Sequence, residues 1–278
     1  MAKGIGLIGN FKGKVGNTVG YKLSASNTGN TQGIRVYQPI VKNPKTSAQA
    51  EQRAKLAPIN ATYRALKMVI DRGNESLPYG NKSRLAWLKT AFKAEAMPWF
   101  VKGATVAAPV ICQLTKGSLP FSYSLPSDSS SCHLVVNTLD AGKDTTVGKV
   151  STKIIAQYPQ IKDGDQLTFV SVIKLDNVMT SQIDSFIVDS TSEGTIPSGL
   201  LADDGNLEQP VAAGVVIAGA IILSRQGDNG EHLRSTTSLV KLTAYPATVL
   251  TDDAKLAAIA SYQNSANGNA DWAEESIQ

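Results

Sequence analysis

The sequence predicts an α+β protein: an N-terminal β-hairpin with two amphipathic helices, followed by an immunoglobulin-like β-sandwich with an inserted helix and a C-terminal helix. Three observations predict it. Glycines at 4, 6, 9, 13, 16 and 20 alternate with residues such as Phe11, Val15, Val19 and Tyr21, which is hairpin composition. Between residues 46 and 93 the apolar residues recur at helical spacing. From about residue 104 the texture changes to β-branched runs separated by turns. The chain is thus expected to divide into a glycine-rich hairpin and helical module at 1–104, a sandwich domain at 105–263 and a polar C-terminal arm at 264–278.

The hairpin strands are expected at residues 9–15 and 18–24, joined across Gly16-Asn17, because that pair supplies the positive φ angles of a tight turn. Residues 32–38 alternate Ile34 and Val36 with Arg35 and Tyr37, the period of a half-buried strand. Gly4-Ile5-Gly6-Leu7-Ile8-Gly9 matches a dinucleotide fingerprint in letters only, since no strand leads into it and no helix follows it. Thr46 and Gln49 make a capping box for a helix whose apolar face reads Leu56, Ile59, Tyr63, Leu66 and Ile70. Pro58 is expected to kink or restart that helix, and Gly73 to end it. Asn81 or Ser83 then caps a second helix with Leu85, Leu88 and Phe92 on its apolar face, and Trp87 and Trp99 are expected to cover the hairpin or meet the second domain.

Seven strand-like runs follow, at 105–114, 118–124, 131–137, 166–175, 182–190, 211–223 and 232–242, and this number suggests the immunoglobulin-like sandwich. A helix at 145–158 interrupts them, with Val147, Val150, Ile154 and Ile155 at helical spacing. Asp252-Asp253 favours the start of a last helix reaching about Gln263.

Composition limits the function. The longest apolar run, 211–223, contains Gly214 and Gly219 and is too short to span a membrane, and no segment has the form of a secretory signal, so synthesis in the cytoplasm is expected. Cys112 and Cys132 sit in apolar runs and read as small buried hydrophobes. His133 and His232 have no companion at ligand spacing, and the Asp163-Gly164-Asp165 and Asp203-Asp204-Gly205-Asn206 segments read as turns. No nucleophile elbow, phosphate loop or zinc-protease motif occurs. The expectation is a non-enzymatic protein with no cofactor and no metal site.

Charge is the strongest functional clue. The net charge is +4, but residues 1–104 carry 17 Lys and Arg against 4 Asp and Glu, while residues 105–278 carry 10 against 19. Such a split points to partners.

The run Gly9-Asn10-Phe11-Lys12-Gly13-Lys14-Val15-Gly16-Asn17-Thr18-Val19-Gly20-Tyr21, followed by Asn43-Pro44-Lys45-Thr46-Ser47-Ala48-Gln49 and Gln52-Arg53-Ala54-Lys55, resembles an uncharacterised domain-of-unknown-function family of Bacteroides-type bacteria and their phages. The resemblance covers about the first hundred residues well. It implies a virion or assembly context and carries over no catalytic residue.

Two function classes share the charge split. In the first, copies of a structural subunit associate head to tail, with Phe11, Val15, Val19, Tyr21 and Trp272 as interface residues. In the second, Lys12, Lys14, Lys22 and Arg35 of the basic module bind nucleic acid.

Overall fold

The computed structural model of the chain describes residues 13–15, 18–22, 32–36 and 46–263, apart from residues 95, 126, 128, 141, 142, 198, 203–205, 212 and 229. Two compact units separate, one made of Met1–Lys45 with Ala266–Gln278 and the other spanning Thr46–Ser265. In the first, β1 (Gly13–Val15), β2 (Thr18–Lys22) and β3 (Gln32–Val36) form an antiparallel sheet in the order β1-β2-β3. Val15 pairs with Thr18, so the hairpin connection is two residues long. Gly16 and Asn17 themselves lie outside the described residues.

The second unit opens with α1 (Ser47–Ala65), whose N-cap Thr46 accepts the Gln49 N–H at 3.3 Å. The capping box is half made, because Gln49 Oε1 is buried without a partner. Pro58 does not break the helix. It is buried within α1, its carbonyl accepts the Thr62 hydroxyl at 2.8 Å, and the same hydroxyl oxygen takes the Val110 N–H at 2.9 Å. The helix gives way instead at Leu66, where α2 (Lys67–Asp71) begins. Ile59, Leu66 and Ile70 are buried as the spacing predicts, whereas Leu56 faces outward.

Helix α3 (Asn81–Ala91) is capped by neither Asn81 nor Ser83: Gly80 occupies the N-cap with φ 85°, and Ser83 Oγ donates to the Ile70 carbonyl at 2.8 Å. Its buried face is Ser83, Trp87 and Ala91, and Leu85 is 50% exposed. Trp87 enters the core beside Cys112, and Trp99 is half-buried under the Lys55 and Lys255 ammonium groups of the first and last helices of the same unit.

The strands that follow are β4 (Gln113–Thr115), β5 (His133–Leu134), β6 (Gln166–Leu175), β7 (Val178–Ile187), β8 (Leu207–Glu208), β9 (Val215–Gln226), β10 (His232–Arg234), β11 (Thr237–Ser238) and β12 (Val240–Lys241), with α4 (Val147–Gln157) before β6 and α5 (Asp252–Gln263) last. In place of the two facing sheets of an immunoglobulin-like sandwich, one antiparallel sheet runs β10-β9-β6-β7, with β12 also on β9, and the short ladders β4–β11 and β5–β8 stand apart from it. The sheet has helices on both sides. Leu167, Phe169, Ile173, Ile221 and Leu223 pack with Val150 and Ile154 of α4, while Val170, Val172, Ala220 and Ile222 pack with Ile59, Leu66, Ile70 and Trp87 of α1 to α3. A bulge in β9 sends both Ile217 and Ala218 to the α1 side, because Val172 pairs with Ala218 and Ile173 with Val216.

The contacts therefore set Thr46–Ser265 apart from the rest of the chain, and residue 104, where a domain boundary was expected, falls inside a unit whose core both sides share. The physical reason is that the apolar stripe of α1 to α3 has its partner in residues 110–114 and in one face of the sheet. No helix among the described residues is long and apolar enough to cross a membrane.

Candidate self-association surface

Strand β7 is the last on its side of the sheet, and its outer edge pairs with no strand among the described residues. Its position follows from a local turn. Leu175 pairs with Val178, and Asp176 takes φ 54°, a left-handed conformation that Asp tolerates better than most residues, so the chain reverses across Asp176-Asn177 and starts β7 four residues earlier than its alternation suggests. The result is a ten-residue edge with Val178 and Ile187 about 60% exposed. A long edge of unpaired backbone groups with apolar ends is a template for another strand.

Beside the first residues of β7 runs an open groove of about 640 Å³. Ala57, Ala61 and Ala65, one helical turn apart on α1, face Val178, Met179 and Thr180, and Ala104 and Thr105 form a further wall. Methyl groups in place of longer side chains leave the width. The groove is tied at Ser181, whose hydroxyl donates to the Ala65 carbonyl at 2.5 Å, and Arg64 is its charged lining residue.

A second surface feature lies around Tyr79. The guanidinium groups of Arg72 and Arg234 lie 6.0 and 5.5 Å from its ring centre, and Arg84 lies 4.4 Å from that of Tyr63. None of the three arginines makes an ion pair among the described residues. Nearby Glu75 accepts the Ser118 and Arg234 N–H groups and the Ser118 hydroxyl, joining the turn after α2 to residue 118 and to β10. Burial alone would raise the Glu75 carboxyl, but those donors and the Arg234 charge outweigh it and hold the group below the usual carboxylate range.

Of the residues expected to act, Phe11, Lys12 and Trp272 lie outside the described residues. The register of β1, β2 and β3 places positions 14, 19, 21 and 35 on one face and positions 15 and 22 on the other. In register, position 14 lies opposite 19 and 19 opposite 35. The alanine stripe on α1 and the free edge of β7 were missed in sequence. Alanines four residues apart were visible, but a lone stripe of small residues reads as ordinary helix filler until a strand edge is seen beside it.

Other polar groups hold the unit together. Asp165, fully buried, accepts Arg225 Nε at 2.6 Å and Nη2 at 2.7 Å together with the Lys162 N–H. Asp163 accepts the Ser190 N–H and hydroxyl, so the first acidic turn serves as a structural tie. Cys112 and Cys132 are free and buried in the two cores on opposite faces of the sheet, and burial pushes both thiols up to about 12. No cluster of metal-binding side chains occurs among the described residues. Comparison with protein-family models, with curated proteins and with solved structures finds no match.

Proposed function

We propose that the protein is a non-enzymatic structural subunit, of virion or filament type, whose copies associate head to tail. The observation that carries this reading is the outer edge of β7, ten residues long, unpaired among the described residues and flanked by an open groove, with Asp184 as the strand's one charge. Charge supports it. Residues 1–45 hold seven Lys and Arg and no Asp or Glu, and residues 105–263 hold ten against sixteen. Pairing like surface with like would oppose equal charges, whereas a heterologous contact puts the basic N-terminal unit of one copy against the acidic part of the next and closes into a ring or continues as a filament. The resemblance of the N-terminal run to a family of phages and their bacterial hosts supports the virion setting. Sedimentation across a dilution series in low salt tests the proposal: association that weakens on dilution and with added salt is expected, and a strict monomer at high concentration and low salt refutes it.

The arginines stacked on Tyr63 and Tyr79 favour a second reading, in which the protein binds nucleic acid through them and through Lys12, Lys14, Lys22 and Arg35. Arginines outside ion pairs, interleaved with aromatic rings, are the composition of a phosphate-tracking surface. A fluorescent oligonucleotide should then bind at low salt and be released as salt rises. No binding at low salt discards this reading.

A further inference from the structure

We infer that the groove between α1 and β7 is a strand-addition site whose occupant is the C-terminal segment of a neighbouring copy, residues 264–278, anchored by Trp272; this rests on the assembly reading. The groove has the two parts that such recognition needs. An unpaired edge offers main-chain hydrogen bonds to an extended peptide, and an adjacent hollow takes alternate side chains.

Three features select this occupant. The first is charge: residues 264–278 contain Asp271, Glu274 and Glu275 and no Lys or Arg, whereas the groove is lined by Arg64 and belongs to a helical layer in which residues 46–104 hold ten basic against four acidic residues. The basic N-terminal segment of a neighbour has the wrong sign for this place. The second is size. The methyl floor of Ala57, Ala61 and Ala65 leaves room for a large flat side chain, and Trp272 is the one aromatic residue of the segment. Aromatic anchors in desolvated pockets carry most of the energy in such contacts. The third is where the described chain ends. The Ser261 hydroxyl accepts the Lys102 N–H at 2.9 Å, which fixes the last turns of α5 two residues from the Ala104 wall of the groove. Fifteen residues remain beyond Gln263, enough to span about 50 Å when extended. The acceptor groove and the root of the donor segment thus lie close together on each copy, the arrangement from which a repeating exchange between neighbours is built.

Cysteine pairing in the full-length protein tests the inference. One preparation carries Ala61→Cys in the groove and a second carries Ala270→Cys beside the anchor; the native thiols are buried and do not compete. Mixed under mild oxidation, the two should yield a disulfide-linked heterodimer. Trp272→Ala added to the second preparation should cut the yield at least about tenfold, as the loss of a hot-spot aromatic does. A mixture that sediments as an assembly yet gives no heterodimer overturns the inference and leaves the assembly reading standing. In a third preparation carrying both substitutions, a cross-link found only within single chains also overturns it, since the segment would then occupy its own groove. A protein that is monomeric throughout defeats both.

Discussion

Asp165 shows how one residue can hold two elements in place. Its carboxylate is fully buried at the start of β6 and receives both the fork of Arg225 from β9 and a backbone N–H from its own turn. Asp165→Ala leaves the Arg225 guanidinium partly buried without its counter-charge, and removing one partner of such a pair costs about 3 kcal/mol, which a urea titration would read as a lower midpoint. A midpoint unchanged within error would show that the pair is dispensable. The carboxyls of Glu75 and Asp144 have a different consequence. For Asp144, burial favours the neutral acid, but Lys153 at 2.5 Å and the Asp140 N–H outweigh it, so both groups sit below their usual values in the folded protein. A depressed folded pKa stabilises above the unfolded value and is lost as pH falls through the folded one. Thermal stability should therefore decline as pH drops from about 5 to about 3. Glu75→Gln should flatten that decline, and an unaltered pH profile would remove Glu75 from the account.

At the scale of the element, α3 separates apolar character from apolar position. Leu85 has the stronger hydrophobic side chain, yet Ser83, Trp87 and Ala91 face inward, because the Ser83 hydroxyl docks on the Ile70 carbonyl and fixes the rotation of the helix. Leu85→Lys should change stability by less than about 0.5 kcal/mol, whereas Trp87→Ala should cost about 3 to 5 kcal/mol. Equal effects in a denaturant titration would mean that the helix is rotated from the arrangement described. The same logic applies to the fragment 105–278. Without α1 to α3 it would expose Val170, Val172, Ile217, Ala220 and Ile222 together, so it is expected to aggregate where the full chain stays in solution. A soluble fragment with a cooperative melting transition would show that the helical layer is not needed.

For the whole molecule, the proposed assembly makes the charge split an association term more than a folding term. Surface charges that attract across an interface are screened over about 10 Å at 0.1 M salt and about 3 Å at 1 M, so head-to-tail association should weaken steeply between those limits. Neutralising Lys14 and Arg35 together, which the register of β1, β2 and β3 puts on one face, should weaken it more than neutralising Lys14 and Lys22, which fall on opposite faces. Light scattering of the two double variants at low salt reads the difference; equal losses would mean that only total charge matters.

Local patterns in the sequence determine much of this protein. The hairpin register at Val15 and Thr18, the Thr46 cap, the span of β6, and the helices at 147–157 and 252–263 all follow from spacing, capping and turn chemistry, which act within a few residues. Tertiary structure decided what these cannot reach. Pro58 stays within α1 because a buried hydroxyl and the Val110 N–H complete its surroundings, and residues 105–124 form little strand because their apolar residues fill the helix-side core and the loops instead of pairing in a second sheet. The division of the chain moved from 104 to 45 for the same reason: a hydrophobic face says that it must be covered, and only the packed fold says by what. The groove beside β7 belongs wholly to this second kind of information, since it exists only where an alanine stripe and a strand edge more than a hundred residues apart in sequence come to lie side by side.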